Sequence, residues 1–458
     1  MNIYLHVEVA IRELDSKLLL AVLAASKGHQ VILSSMGEIK NGIKTGVLSP
    51  GIFHTKSLTP SRAKIDTHQK LLDKGFVVTS IDEEGGFIND NLNEFAKTRF
   101  SEKSMHQVSA VFGWGKDIEI LKDNYPKNSS KFYKTGSPRI DLNKPLLKDY
   151  WLKPKKMPNK PFLLVASNFS CTYHKPFCEY IRRIRTAGYF DRDPELFKLP
   201  FQRMSEEYLL LYAFIDAIKK LAHNNNDYDI VLRPHPREAP EPWKIYLEGV
   251  RNVHIIKEDA IMPWIKNAFA LLHNSCSTAV EAAVAGTPVI SYAPIKRQYL
   301  QKDFANKFGS YIENYEDLLE NTNLLFKNNQ SKDNNVKVDK SYETLSQRIF
   351  IDKDELSADK IIKVWESLDD KNLSKSNNWT KFYWLLKILN LKRVLSKIVT
   401  KLFPNKSKII NDNENEKLLP LDESDVCARV SRFQHILGIE KKLECKLLSN
   451  KTILIRPY

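Results

Sequence analysis

The chain has 458 residues, of which 42% are hydrophobic and 27% are charged, and these values exclude disorder over the whole length. Lys and Arg outnumber Asp and Glu by 70 to 55, a formal charge of +15 that favours an anionic partner such as nucleic acid, a phosphorylated small molecule or an acidic membrane surface. The five cysteines form no C-x-x-C pair, which excludes a zinc knuckle, and we expect reduced thiols in a cytosol. Charges at Glu8 and Arg12 argue against a signal peptide, and no run of about 18 uncharged apolar residues predicts a membrane span.

The first elements in the chain predict a parallel sheet. Residues 3–9 are rich in β-formers, and residues 14–27 place apolar side chains at helical spacing up to Gly28. A second apolar strand follows at 31–35. A strand–helix–strand unit of this kind opens a parallel α/β sheet.

The same alternation starts again after a boundary. Residues 148–161 are dense in Lys and Pro and predict an interdomain linker. Short apolar strands and helical segments then alternate up to a closing helix at 355–368. The sequence therefore predicts an α/β protein with two Rossmann-like, doubly wound domains facing across a cleft, at 1–150 and 158–368.

The tail at 370–458 differs from both domains. Its segment 378–403 carries six basic residues and no acidic one. The apolar residues of this segment form one helical stripe: Trp384, Ile388, Leu391, Leu395, Ile398 and Leu402. A basic amphipathic helix suits an anionic membrane surface, although a helix docked on the core of the protein itself would show the same stripe. We expect a cytoplasmic protein held at the inner face of the cytoplasmic membrane, with a two-domain body that folds without 378–458.

A cluster of acids and glycines directly follows the apolar strand at 76–81. It reads Asp82-Glu83-Glu84-Gly85-Gly86. Ligands of open parallel sheets bind outside the carboxyl ends of the strands, where this cluster would lie. Crowded carboxylates raise the pKa of at least one of them, which would create a general base or a nucleophile. The alternative is an acidic helix N-terminus that the helix dipole stabilises.

A basic loop follows another predicted strand, at 229–232. It reads Arg233-Pro234-His235-Pro236-Arg237, and the two prolines stiffen it. Arginine offers phosphate a bidentate fork, so this loop is a candidate phosphate site.

A polar turn leads into a helix later in the same domain. The turn spans 273–278 and contains Asn274, Ser275, Ser277 and Thr278, with Glu281 about one helical turn further on. Backbone N–H groups and hydroxyls at a helix N-terminus make an anion site. N-capping by Ser277 or Thr278 would explain the same residues.

Several motifs of other enzyme classes are absent from the sequence. It contains no P-loop, no complete dinucleotide fingerprint, no H-E-x-x-H, no G-x-S-x-G and no D-x-D that would hold a metal–diphosphate pair. These absences argue against a P-loop NTPase and a dinucleotide-binding enzyme.

Together the motifs resemble those of bacterial sialyl-, polysialyl- and Kdo transferases of the GT-B fold, which carry a paired-acid-plus-glycine motif, an HP motif and a serine/threonine motif. The similarity to the family of bacterial surface carbohydrate biosynthesis proteins is closer still. It covers about residues 1–300 and rests on VEVAIRELDSKLLLAVLAASKGHQVIL (7–33), DEEGG (82–86), TGSPRIDL (135–142), SNFS (167–170), RPHPREAPEPWK (233–244) and HNSCSTAVEAAVAGTPVISY (273–292).

The resemblance implies a transferase that moves a ulosonic acid of the Kdo, sialic, pseudaminic or legionaminic type from a CMP-activated donor to a glycan or glycolipid. It also implies that this transferase needs no metal and no cofactor beyond the donor substrate. It implies Glu83 or Glu84 as the base or nucleophile, and a CMP phosphate held by His235 and the 275–278 turn, with Glu281 at the ribose. The catalytic residues would be Glu83, Glu84 and His235. The donor-binding residues would be Arg233, His235, Pro236, Arg237, Asn274, Ser275, Ser277, Thr278 and Glu281. Further substrate contacts would come from Arg12, Glu13, Lys17, Gly85, Gly86, Arg139 and Asn168.

Three other functions fit the same sequence. One is a UDP-N-acetylglucosamine 2-epimerase, which shares this fold and a similar loop, and another is a CDP-polyol phosphotransferase of surface polymer synthesis. The third is a non-catalytic scaffold of polysaccharide assembly. Nucleic-acid binding is disfavoured, because the lysines are scattered without interleaved aromatic residues outside the tail.

Overall fold

The computed structural model describes residues 1–85, 91–169, 181–182, 185, 198–236, 238–258, 260–295, 304–331, 344–352, 354–368, 373, 377–402 and 420–458. The chain forms two compact α/β units. Unit 1 consists of Met1–Gly86, Asn91–Tyr150 and Arg348–Tyr458, and unit 2 contains Trp151–Gln347.

Both units are built from short strands and the helices that connect them. The strands are β1 (Asn2–His6), β2 (Gln30–Ser34), β3 (Ile52–Thr55), β4 (Val77–Ile81), β5 (Ala110–Gly113), β6 (Phe132–Lys134), β7 (Phe162–Ala166), β8 (Asp229–Arg233), β9 (Val253–Ile255), β10 (Ala270–His273), β11 (Val289–Tyr292), β12 (Ser310–Ile312), β13 (Leu443–Ser449) and β14 (Thr452–Pro457). The helices are α1 (Ala10–Ser26), α2 (Met36–Lys44), α3 (Arg62–Leu72), α4 (Leu92–Arg99), α5 (Glu102–His106), α6 (Asp117–Asn124), α7 (Pro138–Asp141), α8 (Leu199–His223), α9 (Glu241–Tyr246), α10 (Met262–Asn267), α11 (Thr278–Ala285), α12 (Tyr315–Ser331), α13 (Ser357–Ser367), α14 (Trp379–Leu402) and α15 (Glu423–Ile436). Short 3-10 helices lie at Pro126–Lys131, Pro145–Tyr150 and Phe304–Lys307.

The sheet of unit 1 has the order β13-β14-β2-β1-β3-β4-β5-β6. The strands from β2 to β6 are parallel, whereas β14 pairs antiparallel with β2 and places Ile453 opposite Leu33. Every residue of β1 is buried, as expected for a central strand covered on both faces. Helix α1 is buried on most sides between the sheet and other helices, and most of its surface is apolar. Gly28, with a φ of +102°, follows its C-cap residue Lys27.

Helix α13 packs on unit 1, although the sequence assigned it to the second domain. Trp365 is fully buried there, and its Nε1 donates to the hydroxyl of Thr79 at 3.0 Å. The helix start is fixed by Asp141, which accepts from the Ser357 hydroxyl and the Ala358 N–H, both at 3.0 Å. The predicted boundary at 368 is therefore wrong, because the chain returns to the first unit from Arg348 onward.

The tail is also part of unit 1 and not a separate segment. Phe382 and Leu386 of α14 lie in the hydrophobic core with residues of the sheet. In α15, the ring of Phe433 stacks on Tyr150 at 4.0 Å between centroids. Strand β14 adds the buried Leu454 to the same core. The expectation that the body folds without 378–458 is corrected, because removing the tail would expose this apolar surface and the edge of β2.

The sheet of unit 2 is parallel throughout, in the order β12-β11-β10-β7-β8-β9. Counted within the unit, this is the 6-5-4-1-2-3 order of a Rossmann fold. Its core contains the fully buried Trp243, Phe214 and Tyr228. The predicted fold class, with two α/β units each built on parallel strands, is confirmed, while their facing across a cleft stays a prediction. Within the described residues, no helix combines the length and the hydropathy that crossing a bilayer requires.

Candidate active site

In unit 1 the strand order reverses between β1 and β3, the position where ligands of open α/β sheets bind. Charged residues converge at the carboxyl ends of these strands and of the next one. Lys56 follows β3 and Glu83 follows β4, while Glu13 and Lys17 lie on α1, which follows β1. The structure therefore brings several of the predicted residues to one edge of one sheet.

Lys17 is a buried cation shared by two carboxylates. Its Nζ lies 3.0 Å from Glu13 Oε2 and 3.3 Å from Glu83 Oε1, and it also donates to the His6 carbonyl. Burial opposes the charged form, but Glu13 and Glu83 outweigh it and raise the pKa of Lys17. Lys17 is therefore an ammonium ion at neutral pH.

The two carboxylates have opposite pKa shifts. Burial raises the pKa of Glu83, and the charge of Glu13 adds to this effect against the attraction of Lys17. Burial acts in the same direction on Glu13, but Lys17, Lys56 and the backbone N–H of Glu8 lower the pKa of Glu13 overall. Divergent pKa values of neighbouring acids are the usual way in which sites separate a proton acceptor from a permanent anion. Glu83 is the group suited to exchange a proton.

Each acid of the Asp82–Glu84 run lies beside at least one cation. Repulsion among the three acids is therefore not the cause of the raised pKa of Glu83. Asp82 accepts two hydrogen bonds from Arg99, at 2.8 and 2.9 Å. Glu84 is about half exposed and lies 3.7 Å from Arg12 and 3.6 Å from Arg99. The expected crowding is thus corrected: the carboxylate that raises the pKa of Glu83 is Glu13, from another part of the chain.

Gly85 and Arg139 support the loop that carries Glu83. A Cβ at Gly85 would lie 3.2 Å from the Asp82 carbonyl and 3.3 Å from Trp114, so close packing is one reason for glycine there. Arg139 donates to the Glu83 carbonyl at 2.9 Å, and its guanidinium lies over the Trp114 ring. Gly86 lies outside the described residues.

In unit 2 the strand order reverses between β7 and β10, and two predicted residues meet there. The Asn168 side chain donates to the Ser275 carbonyl at 3.2 Å, and the Asn274 side chain donates to the Asn168 carbonyl at 3.3 Å. Ser275 has a φ of +64°, a left-handed conformation that is uncommon for a serine. Oδ1 of Asn274 is buried and has no hydrogen-bond partner among the residues described.

The turn before α11 is stabilised by a buried histidine, His273. His273 Nδ1 accepts from the Cys276 N–H at 3.1 Å, so its Nε2 carries the hydrogen and donates to Ser291 Oγ at 2.7 Å. The Ser277 hydroxyl makes no capping hydrogen bond, and the Thr278 hydroxyl lies 3.1 Å from the Cys276 sulfur. Simple N-capping therefore does not explain these hydroxyls. Glu281 lies half-buried in the first turn of α11.

The loop after β8 is held by Glu258 and Trp264, two residues that the motifs of the sequence did not indicate. Arg233 is buried, donates to the Glu258 carbonyl and stacks over Trp264. Its binding of phosphate stays a prediction. His235 and Pro236 are half-buried beyond it, and Arg237 lies outside the described residues.

Glu238 is a buried carboxylate that ties this loop to the end of β7. It accepts from the Ser167 hydroxyl at 2.6 Å, from the Phe169 N–H and from Trp243 Nε1 at 3.0 Å. Burial raises the pKa of Glu238 against these hydrogen bonds. Its position inside the quoted RPHPREAPEPWK segment was the only signal for it in the sequence.

The structure thus assembles two groups of predicted residues, one in each unit. The residues that converge in unit 1 are Arg12, Glu13, Lys17, Glu83, Glu84 and Arg139. Those that converge in unit 2 are Asn168, Asn274 and Ser275, beside Ser277 and Thr278.

Sequence reasoning missed Lys56 and His6. His6 is a buried residue with no partner for Nδ1 among the described residues, and burial, with Lys17, lowers its pKa to about 3. Across the described ranges, no group of three His, Cys, Asp or Glu residues is arranged to hold a metal ion.

The chain is similar to solved structures but matches no family model and no curated sequence. A putative UDP-N-acetylglucosamine 2-epimerase from Listeria monocytogenes is similar, with 15% identity, a TM-score of 0.48 and coverage of 81% of this chain and 98% of that one. A glycosyltransferase from Rickettsia africae has 13% identity and a TM-score of 0.44, covering 82% and 99%. A UDP-N-acetylglucosamine 2-epimerase from Neisseria meningitidis, bound to UDP-GlcNAc, has 14% identity and a TM-score of 0.43, covering 80% and 100%. Likenesses of this strength carry no inference about substrate.

Proposed function

We propose that this protein is a glycosyltransferase that moves a ulosonic acid from a CMP-activated donor to a glycan or glycolipid of the cell surface, with Glu83 as the general base. The observation that carries the proposal is the environment of Glu83. It is a buried carboxylate with a raised pKa beside a buried ammonium, at the reversal point of a parallel sheet. A general base works best when its pKa approaches the operating pH, which burial of Glu83 favours.

The proposed step is a direct displacement at the anomeric carbon of the sugar. A hydroxyl oxygen of the glycan forms the new bond to that carbon, and the bond from that carbon to the phosphate oxygen of CMP breaks. CMP leaves with the electron pair, and the hydroxyl proton passes to Glu83. Lys17 holds the Glu83 carboxylate in place at 3.3 Å and keeps its charged form accessible before the step.

Unit 2 supplies the proposed donor site. The first N–H groups of α11, with the Ser277 and Thr278 hydroxyls, would receive the single phosphate of CMP. The buried Oδ1 of Asn274 would accept from a hydroxyl or amino group of the nucleotide, which would satisfy a polar atom that has no partner among the described residues. His235 would contact the phosphate and Glu281 the ribose, as the resemblance implies. Such a site stabilises the leaving phosphate with N–H groups, hydroxyls and a histidine.

Helix α14 provides the proposed transferase with a membrane-binding surface. One face of α14 docks on unit 1 through Phe382 and Leu386. On its other side Trp384, Ile388, Leu391, Val394 and Leu395 are about half exposed or more. The exposed Lys381, Lys387 and Lys392 accompany this apolar face, and α14 contains no acidic residue. Apolar side chains flanked by cations match an anionic phospholipid surface, which we propose as the occupant.

The experiment that tests the function compares two neighbouring acids. Glu83→Gln should lower transfer by about two to four orders of magnitude, the usual contribution of a general base, while the affinity for CMP stays unchanged. Glu84→Gln tests the other acid that the resemblance implies, and it should retain most of the activity because Glu84 is about half exposed. Glu119→Gln, at an exposed acid of α6, is the control. Transfer is measured from CMP-Kdo and CMP-sialic acid to surface glycan, and CMP affinity by calorimetry. Near-normal transfer by Glu83→Gln would refute the assignment.

A ligand screen on the wild-type protein separates the other functions. CMP and CMP-sugars should raise the melting temperature more than CDP or UDP compounds, because ligands that bind only the native state stabilise it. Preferential stabilisation by UDP-sugars, with epimerisation of UDP-GlcNAc in the absence of a glycan, would identify an epimerase. Preference for CDP-polyols would identify a phosphotransferase. Stabilisation by none of them would favour a scaffold.

A further inference from the structure

Lys64 lies in the first turn of α3, at the same edge of the unit 1 sheet as the acids. Its ammonium is half-buried and donates to the Ser57 hydroxyl at 2.6 Å. Ser57 is almost fully buried and lies just beyond the end of β3. Because Lys64 uses one ammonium hydrogen to bond Ser57, two hydrogens remain for another group.

The surroundings of Lys64 are unfavourable for a cation. Among the described residues no carboxylate lies within ion-pairing distance of its Nζ. The neighbouring cations have acids of their own, since Lys56 pairs with Glu8 and Arg99 with Asp82. The N-terminus of α3 adds the positive end of a helix dipole. Burial, Lys56 and Arg99 lower the pKa of Lys64 to about 8, against the smaller opposing effects of Asp82 and Glu8.

Ser57 presents a second donor in the same place. Its Oγ accepts from Lys64 and, at 3.5 Å, from the Thr59 hydroxyl. A hydroxyl has two lone pairs and one hydrogen, so both lone pairs are used and the hydrogen remains to donate. Within the described part of the chain no acceptor for that hydrogen is found. An ammonium and a hydroxyl hydrogen, both without an acceptor of negative charge, form a site for an oxyanion.

We propose that Lys64 and Ser57 bind a carboxylate or phosphate group of the substrate held by unit 1. An ammonium binds such groups as a point charge, and the hydroxyl adds a directional hydrogen bond. The inference rests on the proposed function in taking the ligand to be a sugar substrate, and it adds an anionic group to the description of that substrate. The group is either the carboxylate of the ulosonic acid or a phosphate on the glycan, and the experiment distinguishes the two.

The test measures the acylation of individual lysines in the wild-type protein by trace acetic anhydride at pH 8, read by peptide mass spectrometry. A bound anion favours the charged ammonium and raises the pKa of Lys64. If the increase is one unit, the reactive neutral fraction falls from about one half to about one tenth, so labelling slows about fivefold. Lys70, exposed in the last turn of the same helix, should not respond.

The probes are inorganic phosphate, free N-acetylneuraminate and the neutral N-acetylglucosamine. Protection by phosphate alone assigns the site to a phosphate on the glycan, and protection by N-acetylneuraminate alone assigns it to the carboxylate of the ulosonic acid. Equal labelling with and without both anions, or equal protection by the neutral sugar, would overturn the proposal. The assay involves no transfer, so it can succeed even if the transferase assignment fails. If transfer is established, Lys64→Met should raise KM for the anionic substrate with little change in kcat, and Lys70→Met should change neither.

Discussion

Glu13 and Glu83 lie on either side of one ammonium, yet their pKa values shift in opposite directions. The difference arises from the additional partners of Glu13, which also receives the Glu8 N–H at 2.9 Å and has Lys56 Nζ at 3.8 Å. Lys17 and Arg139 lower the pKa of Glu83, but burial and the charge of Glu13 outweigh them, so Glu83 holds its proton more readily. If Glu83 is the base, the acidic limb of the rate profile reports its pKa in the presence of the Glu13 charge.

We predict that Glu13→Gln moves the acidic limb of kcat/KM to lower pH. Removing the negative charge of Glu13 removes one of the causes that raise the pKa of Glu83, so Glu83 loses its proton at a lower pH. The amide still accepts the hydrogen bond from Glu8 N–H, which limits structural damage. The measurement is the pH dependence of kcat/KM, with the exposed Glu119→Gln in the same unit as control. A limb that stays in place or moves to higher pH would contradict the assignment of Glu83.

The candidate site could be predicted in part, because one sequence feature has a simple geometric consequence. A polar residue directly after an apolar strand lies at the carboxyl edge of a parallel sheet, and this rule located Glu83 and Asn274. Lys56 follows β3 directly and His6 is the last residue of β1, but a lone Lys or His at the end of a strand is not distinctive in sequence. The rule could not assign partners. That Asp82 pairs with Arg99, and Glu83 with Lys17, depends on side-chain directions that no local pattern contains.

At the scale of elements, the strand–helix–strand units were predictable and the tail was not. Local periodicity identifies β1, α1 and β2, whose contacts are close in sequence. By contrast, β14 pairs with β2 across more than 400 residues, and only tertiary packing selects that partner. Buried Glu38 shows how the tail is fixed: it accepts from Arg393 of α14 at 3.1 Å and from Ser449 of β13 at 2.6 Å. The predicted stripe on α14 is exposed at Trp384, Ile388, Leu391 and Leu395, and a second apolar face of the helix makes the docking contact.

We predict that Phe433→Ala destabilises unit 1 by about 3–5 kcal/mol, as truncation of buried aromatic residues usually does. Phe433 is fully buried and stacks on Tyr150, although it lies in α15, more than 280 residues further along the chain. The measurement is unfolding by denaturant, followed by circular dichroism. Phe201→Ala, at a phenylalanine that is about half exposed, is the control and should change stability little. Equal effects of the two variants would show that α15 does not belong to the core.

At the scale of the whole molecule, the excess positive charge of +15 is unevenly distributed along the chain. Much of the charge at the edge of the unit 1 sheet is paired, whereas α14 carries six basic residues without an acidic one. Near an anionic bilayer each exposed lysine, such as Lys381, Lys387 and Lys392, contributes about 1 kcal/mol, and this contribution is screened by salt. The exposed apolar side chains add a part that salt does not weaken. Because α14 is fixed to unit 1 by Phe382 and Leu386, membrane binding would orient this unit as well as concentrate it.

We predict that replacing Trp384, Ile388 and Leu391 together with serine abolishes most binding to vesicles of equal parts phosphatidylglycerol and phosphatidylcholine. These side chains are exposed, so the protein should keep its fold, which circular dichroism checks. Leu324→Ser removes a similarly exposed leucine from unit 2 and should bind as the wild type does. Co-sedimentation is the measurement. Wild-type binding should weaken with added salt and be minor on vesicles of phosphatidylcholine alone, because the lysines of α14 require anionic lipid. Unchanged pelleting of the triple variant would mean that another surface meets the membrane, and no pelleting of the wild type would mean that this face of α14 has a different partner.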